Sequence, residues 1–506
     1  MILKRNLFLL LLVFLSFPVF SQKIVYSTPD KDDTRRMNFE IAGKINGNFL
    51  IYKNVRNKNW ISVLDNDMVE ISKVEQEYVP NNDRVINVDF FPYNDFVYMI
   101  YQYQKKSIVY CMAAKIDGNG NKIGDVMQLD TTQLGFAANN KIYTVLTSED
   151  KSKLIVFKIN SKNRRNYMLT TVLLDDKLTQ LRKSRMSIPM DDRDDQLGEF
   201  QLDNEGDLVF SKFQTTSGDQ ISYAAFVIKY AQSDTLHFRN LSLAKLNLDE
   251  IRIKVDNFNK KYFLTSFYYK ERRGSVDGLY FYIWDKQTGA VTLETTVGFS
   301  EELRREARGD ASIKTAFNDY FIKNIVNRKD GGFIIAAEAF YTTSRFNTWN
   351  RWNYLNRSFL TPMDYYYYSP YYNSVWSNSR WNNNQSVRYH ADNITILSFD
   401  KTGHPEWSSV IVKEQFDDQS DDFLSYQVMV TGGQLHFLFN QNEKRVQLLN
   451  DYTVSPEGET SRNPTLKNLD KGYEFMPRYA KQVSARQIII PCQTRNYICF
   501  AKVDYN

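Results

Sequence analysis

Residues 94–129 read NDFVYMIYQYQKKSIVYCMAAKIDGNGNKIGDVMQL, and turn signals alternate in them with apolar runs. Asn94-Asp95 marks a turn, residues 96–101 and 108–116 are rich in aromatic and β-branched side chains, and Asp117-Gly118-Asn119-Gly120 is a second tight turn. Two such runs joined by a short polar stretch form an antiparallel hairpin, and the flanking turns add a strand on either side. The phrase is therefore a four-stranded meander.

It recurs along the chain. The middle hairpins fall at 48–52 with 60–64, 141–147 with 154–159, 207–213 with 221–229, 262–269 with 279–284, 333–340 with 394–399, 434–439 with 446–449, and 487–491 with 497–503. Turn markers such as Gly47-Asn48, Asn139-Asn140, Gly331-Gly332 and Gly432-Gly433 precede them. Self-similarity of this kind predicts an all-β propeller of four-stranded antiparallel blades. The last unit stops after its third strand, while 23–28 is a strand without a partner. If that N-terminal strand completes the last blade, the ring closes and its open edges disappear. Eight blades follow, with seven as the runner-up and two stacked β-sandwiches as the other all-β solution. Aromatics make up 15% of the chain, including 33 Tyr and 34 Phe, against 21 Gly and 12 Pro, which favours strands over helix or disorder.

Lys4 and Arg5, the apolar run that follows and small Ser21 predict a secretory signal peptide over 1–21, leaving 22–506 as one domain. Ser16 and Pro18 interrupt the apolar run, so no transmembrane anchor is expected after cleavage. The predicted location is the periplasm or outer surface of a Gram-negative bacterium. The formal charge is +5, two units of which leave with the signal peptide, and basic and acidic residues interleave, so nucleic acid is not an expected partner. If Arg495-Asn496 forms the last turn, Cys492 and Cys499 stand opposite each other and can form a disulfide; the alternative is two buried thiols. Cys111 reads as a buried thiol.

Ser21-Gln22 and the phrase Asp330-Gly331-Gly332-Phe333-Ile334-Ile335-Ala336 resemble those of exported, uncharacterised β-propeller proteins of the Bacteroidota. The resemblance implies fold and compartment and carries no functional residues.

Turns in a meander alternate between two ends, so the loop within each middle hairpin emerges on the same face as the connections between blades. On that face falls an insertion at 341–393 in the sixth unit, with Trp349, Trp352, Trp376, Trp381, Tyr365, Tyr366, Tyr367, Tyr368, Tyr371 and Tyr372 set among Asn and Ser. Such rings make rigid amphipathic binding surface; the competing possibilities are packing against the propeller itself or disorder. Two acidic clusters share the face, one with Asp191, Asp192, Asp194 and Asp195, the other with Asp417, Asp418, Asp421 and Asp422. They could hold Ca²⁺ or meet a basic partner, or simply cap turns; no other cofactor is expected.

Asp117–Asn121 lacks the closing Glu of a calcium loop and reads as a turn, and 300–308 reads as a helix capped by Ser300. The four His show no metal-ligand spacing, and no phosphate loop, dinucleotide fingerprint or nucleophile elbow is present. The leading expectation is a non-enzymatic module that binds another envelope protein, or serves as a scaffold for it. The alternative is a glycan-binding or glycoside-active propeller, because exposed Trp and Tyr also stack on sugars.

Overall fold

The computed structural model describes residues 22–30, 37–81, 85–135, 137–138, 141–163, 165–190, 195–215, 220–272, 274–344, 367–368, 387–418, 420–443, 446–463 and 472–505. The expected signal peptide lies outside them.

The described strands form antiparallel sheets in chain order. β1 (Lys23–Tyr26) stands apart from the first sheet, which contains β2–β5 (Met37–Ile45, Asn48–Val55, Lys58–Leu64, Glu70–Glu75). Then come β6–β9 (Val85–Pro92, Phe96–Lys105, Ile108–Asp117, Lys122–Gln133) and β10–β13 (Thr144–Thr147, Lys153–Asn163, Asn166–Asp175, Gln180–Pro189). A nine-stranded sheet follows, with β14–β17 (Asp195–Leu202, Leu208–Thr215, Ile221–Lys229, Leu236–Asn240), β18 (Asn247–Leu248) and β19–β22 (Arg252–Asp256, Lys261–Tyr269, Gly278–Asp285, Ala290–Gly298). Among the described residues β18 alone bridges its two halves, pairing with β16 on one side and β20 on the other.

After helix α1 (Glu301–Ala307), one sheet contains β23 (Tyr320–Asn327), β24 (Phe333–Ser344), β26 (Val387–Phe399), β27 (Pro405–Ile411) and β28 (Phe416–Asp417). β25 (Tyr367–Tyr368) joins β11 instead. The last two sheets are β29–β32 (Tyr426–Val430, Leu435–Glu443, Val446–Val454, Thr460–Arg462) and β33–β36 (Glu474–Phe475, Lys481–Ser484, Gln487–Thr494, Tyr497–Asp504) with β1.

One turn recurs where strands meet at the end away from the insertion. In Asp117–Asn121, the Asp117 carboxylate accepts Asn119 N–H and Asn121 N–H at 2.9 Å each, and Gly120 N–H closes on Asp117 C=O. Asp65, Asp175, Asp203 and Asp400 repeat it, and Ser455 does so with its hydroxyl. The fourth residue takes positive φ, which is why Gly120, Gly206, Gly403 and Gly458 stand there. Met68 and Leu178 accept the same strain, and both are buried. In β10–β13 the expected middle hairpin is the first pair of strands instead. Ser148–Ser152 supplies a turn as well marked as any other, whereas the sequence joining Asn163 of β11 to Asn166 of β12 has neither Gly nor Pro.

Buried clusters fill the gaps between successive sheets and between the two halves of the nine-stranded one. One packs Tyr52 against Met99, another Ile100 against Val145, and others Phe157 against Phe210 and Phe226 against Tyr262. The series continues with Phe281 and Phe399, Ile396 and Phe437, and Leu438 and Ile490. A final cluster sets Phe39 and Ile51 against Ile489 and Phe500, so the last sheet packs on the first and the arrangement is propeller-like. Burial on this scale is the dominant favourable term in folding.

The seam has polar fasteners as well. β1 pairs with β36 from Lys23↔Asp504 to Tyr26↔Ala501, filling the edge that the unpaired N-terminal strand was expected to fill. The buried Lys53 ammonium lies 2.5 Å from Asp30, Lys481 Nζ donates to Ile41 C=O at 2.9 Å, and Lys502 Nζ donates to Asn66 C=O at 2.6 Å. Within the last hairpin Cys492 and Cys499 are register partners, with Cα atoms 5.1 Å apart, and form the bridge.

Half-buried Glu40 on β2 tests this seam through pH. Burial raises its carboxyl from 4.5 to about 7, Lys481 opposing and Asp89 adding to the shift. The folded state therefore favours the protonated form. The resulting stability is present at low pH and is lost as pH rises from 4.5 through about 7. Glu40→Gln should stabilise the protein at pH 8 by on the order of 1–2 kcal/mol, with little effect at pH 4. Urea melts at both pH values measure the difference.

Candidate functional site

The β24–β26 hairpin is longer than its neighbour β23, which pairs only as far as Ala339. Tyr341–Ser344 and Val387–His390 therefore rise beyond the first strand, on the face expected for the insertion. Tyr341 and His390 are cross-strand partners whose rings stack at 4.5 Å and 7°. His390 Nε2 is 3.1 Å from Thr343 Oγ1. β28 adds to the far side of β26, placing Phe416 opposite His390, with 6.5 Å between ring centres.

Alternation along the approach to β28 produces an open surface. Val412, Glu414 and Phe416 are exposed while Lys413 and Gln415 are buried. Phe416 is 47% exposed, a large value for an aromatic ring. The Arg388 guanidinium lies 4.7 Å over it and is held by Asp418 through Nε and Nη2, at 2.6 and 3.0 Å. The result is an aromatic platform with carboxylates along its border.

Below it lies a buried ionic support. Glu338 and Lys413 are wholly buried and 2.8 Å apart, and Lys323 also pairs with Glu338. Lys413 Nζ donates to Ala391 C=O at 2.6 Å and Gln415 Oε1 at 2.9 Å, tying the platform segment to β26. Burial opposes ionisation of Glu338, but Lys323 and Lys413 outweigh it and hold the carboxyl below its usual value.

The titrating groups beside the platform are displaced. Burial lowers the His390 imidazole despite the attraction of Asp392, favouring its neutral form. Burial raises Asp392, opposed by Tyr341 and Lys413, and raises the Tyr341 phenol, with Asp392 adding to the effect. Among the described residues Asp392 Oδ1 is buried without a hydrogen-bond partner. A neutral imidazole beside a carboxyl of raised pKa can exchange protons with a bound molecule.

Those of the residues expected from the sequence that are described fall elsewhere or around this platform. Trp349, Trp352, Tyr365, Tyr366, Tyr371, Tyr372, Trp376, Trp381, Asp191, Asp192 and Asp194 lie outside the described residues. Tyr367 and Tyr368 pair by their backbones with Asn160 and Ile159 of β11, so this part of the insertion lies on the protein's own sheet. Asp195 is not a surface ligand: it forms a buried ion pair with Lys212 at 3.0 Å. In the other cluster Asp417 accepts Ser420 N–H, Asp418 holds Arg388, Asp421 pairs with Arg478, and Asp422 accepts the Tyr479 hydroxyl at 2.6 Å. Sequence reading missed Tyr341, His390, Asp392, Glu414 and Phe416. The available signal was the Val412-Lys413-Glu414-Gln415-Phe416 alternation, which lies in what reads as a connection.

Among the described residues one acidic group is close enough for a metal, Asp203, Glu205 and Asp207, with oxygens within 4.8 Å. Lys286 Nζ already stands there, bonded to Asp203 and lying 2.6 Å from Glu205 and 2.8 Å from Asp207. The ammonium supplies the positive charge that a cation would bring.

No family model matches the chain, and no curated protein matches it. Among solved structures it is similar to the polysaccharide lyase Uly1 at 9% identity and a TM-score of 0.36, covering 83% of this chain and 90% of that one. An ulvan lyase of family PL25 gives 10% identity and 0.36, covering 83% and 94%. A prolyl endopeptidase gives 9% and 0.41 over 92% of this chain but 56% of that one, so the chain spans little more than half its length. The expectation of a non-enzymatic protein-binding scaffold is corrected here: the solved structures that it is similar to are polysaccharide lyases and peptidases, and the described acidic residues that were to meet a partner, Asp195, Asp417, Asp418, Asp421 and Asp422, have partners in their own chain. Among the described residues no helix is long and apolar enough to cross a membrane.

Two substitutions test the supports. Lys286→Met leaves Asp203 and Asp207 without their cation, while Glu205 keeps Lys260 at 2.8 Å, and should cost about 3 kcal/mol in a denaturant melt. Lys413→Met leaves Lys323 as the one described cation paired with buried Glu338; a loss of about 1–3 kcal/mol is expected, with faster hydrogen exchange at 412–416 than elsewhere on the face.

Proposed function

We propose that this chain is an exported, glycan-directed propeller that holds a saccharide on the Phe416–His390 platform. The observation that supports the reading is an exposed aromatic ring, Phe416, beside the stacked Tyr341 and His390, with Glu414 and Asp418 at its border. Sugar rings present C–H groups to aromatic faces and hydroxyls to carboxylates, and this surface offers both. Counting β14–β17 and β19–β22 as separate blades makes eight, a count supported by the Phe226–Tyr262 cluster between them. Export is supported by the 1–21 pattern and by the Cys492–Cys499 bridge, a bond at home in oxidising compartments.

A second reading, glycoside-active rather than glycan-binding, is favoured by the opposed displacement of His390 and Asp392. A glycan array combined with a polysaccharide degradation screen tests both. Binding is expected, with Phe416→Ala weakening it by at least about tenfold while leaving the melting temperature unchanged. Absence of binding and of degradation across the panel would remove the reading.

A further inference from the structure

The charges around the platform narrow the ligand class. Resting on the glycan reading above, we infer that the saccharide is neutral or amino-bearing, and that uronate and sulfated polymers are disfavoured. Five carboxylates act on the Tyr341–His390 pair: Asp310 and Asp319 from the segment before β23, Asp392 from β26, and Glu414 and Asp418 from the stretch after β27. The described cations nearby are committed. Arg388 gives Nε and Nη2 to Asp418, and Lys413 is buried against Glu338.

An anionic sugar could add to Arg388 only at Nη1, beside Asp418, whose carboxylate already balances the guanidinium charge. Like charges repel, and a guanidinium already balanced by a bidentate carboxylate attracts a second anion weakly. A neutral sugar meets none of this: carboxylate oxygens accept hydroxyl protons, and its apolar face lies on Phe416. An ammonium in place of one hydroxyl gains from the local negative potential, particularly beside Glu414, which is exposed and follows Val412, itself 71% exposed.

The test uses the full purified chain at low and physiological salt, titrated with neutral β-glucan, chitosan and alginate oligosaccharides of matched length. Neutral or amino oligosaccharides should bind, the amino series weakening as salt rises, and alginate should bind at least about tenfold more weakly. Glu414→Lys, on an exposed position, should narrow that gap and abolish the salt dependence of the amino series. Preferential binding of alginate by the unaltered chain would overturn the inference while leaving the glycan reading intact, whether it ran through Arg388 or through Arg345, Arg351, Arg357 and Arg380 of the insertion. Failure of all three oligosaccharides, together with a blank array, would remove the glycan reading itself.

Discussion

The architecture depends on closure between the last sheet and the first. An array of sheets packed face to face always leaves two outer faces and two sets of open edges unless its ends meet. Here they meet through side chains and backbone together. Phe39 and Ile51 pack on Ile489 and Phe500, the β1 backbone fills the edge of β36, and Lys53, Lys481 and Lys502 each reach an acceptor on another segment of the seam. Ser27 continues the pairing, donating its N–H to Phe500 C=O at 2.8 Å and accepting Phe500 N–H on its hydroxyl at 2.9 Å. Residues nearly the whole chain apart are thereby made neighbours.

Closure also fixes what the faces can carry. With every inner strand held between neighbours, a hairpin longer than its blade must project from the face, and the β24–β26 hairpin does so. Its base is made rigid by burying Glu338 with Lys323 and Lys413, an arrangement whose desolvation cost is offset only because the remaining polar atoms find partners in Ala391, Gln415 and Ser425. The platform thus rests on charge pairs that cannot relax without leaving an ion unpaired. Rigidity of this kind lowers the ordering cost of binding a flexible saccharide.

Much of the fold is legible in the sequence because its signals are local. Alternation along 96–101 and 108–116 specifies strands, Asp-x-x-Gly specifies the bulged turns, and Ser300 marks its helix by accepting Leu303 N–H at 3.2 Å. Where the connection lacks Gly, as between Asn163 and Asn166, the place of a strand within its sheet is misread. The platform was not legible, because its parts are separated in sequence: Tyr341 and His390 meet only through a pairing across a long insertion. Conspicuous residues misled for the opposite reason. An acidic run looks like a ligand set until the fold brings Lys212, Arg388, Arg478 and Tyr479 to it, and tertiary partners leave no periodic trace.

Hydrogen exchange at single-residue resolution, followed in β1 and β36 together, tests closure most directly. If the N-terminal strand closes the ring, the Lys23–Tyr26 amides bonded to β36 should exchange with the same opening free energy as their partners in Ala501–Asp504, because the edge opens as one unit. Exchange of these β1 amides at the rate of an unstructured peptide, with β36 still protected, would contradict it.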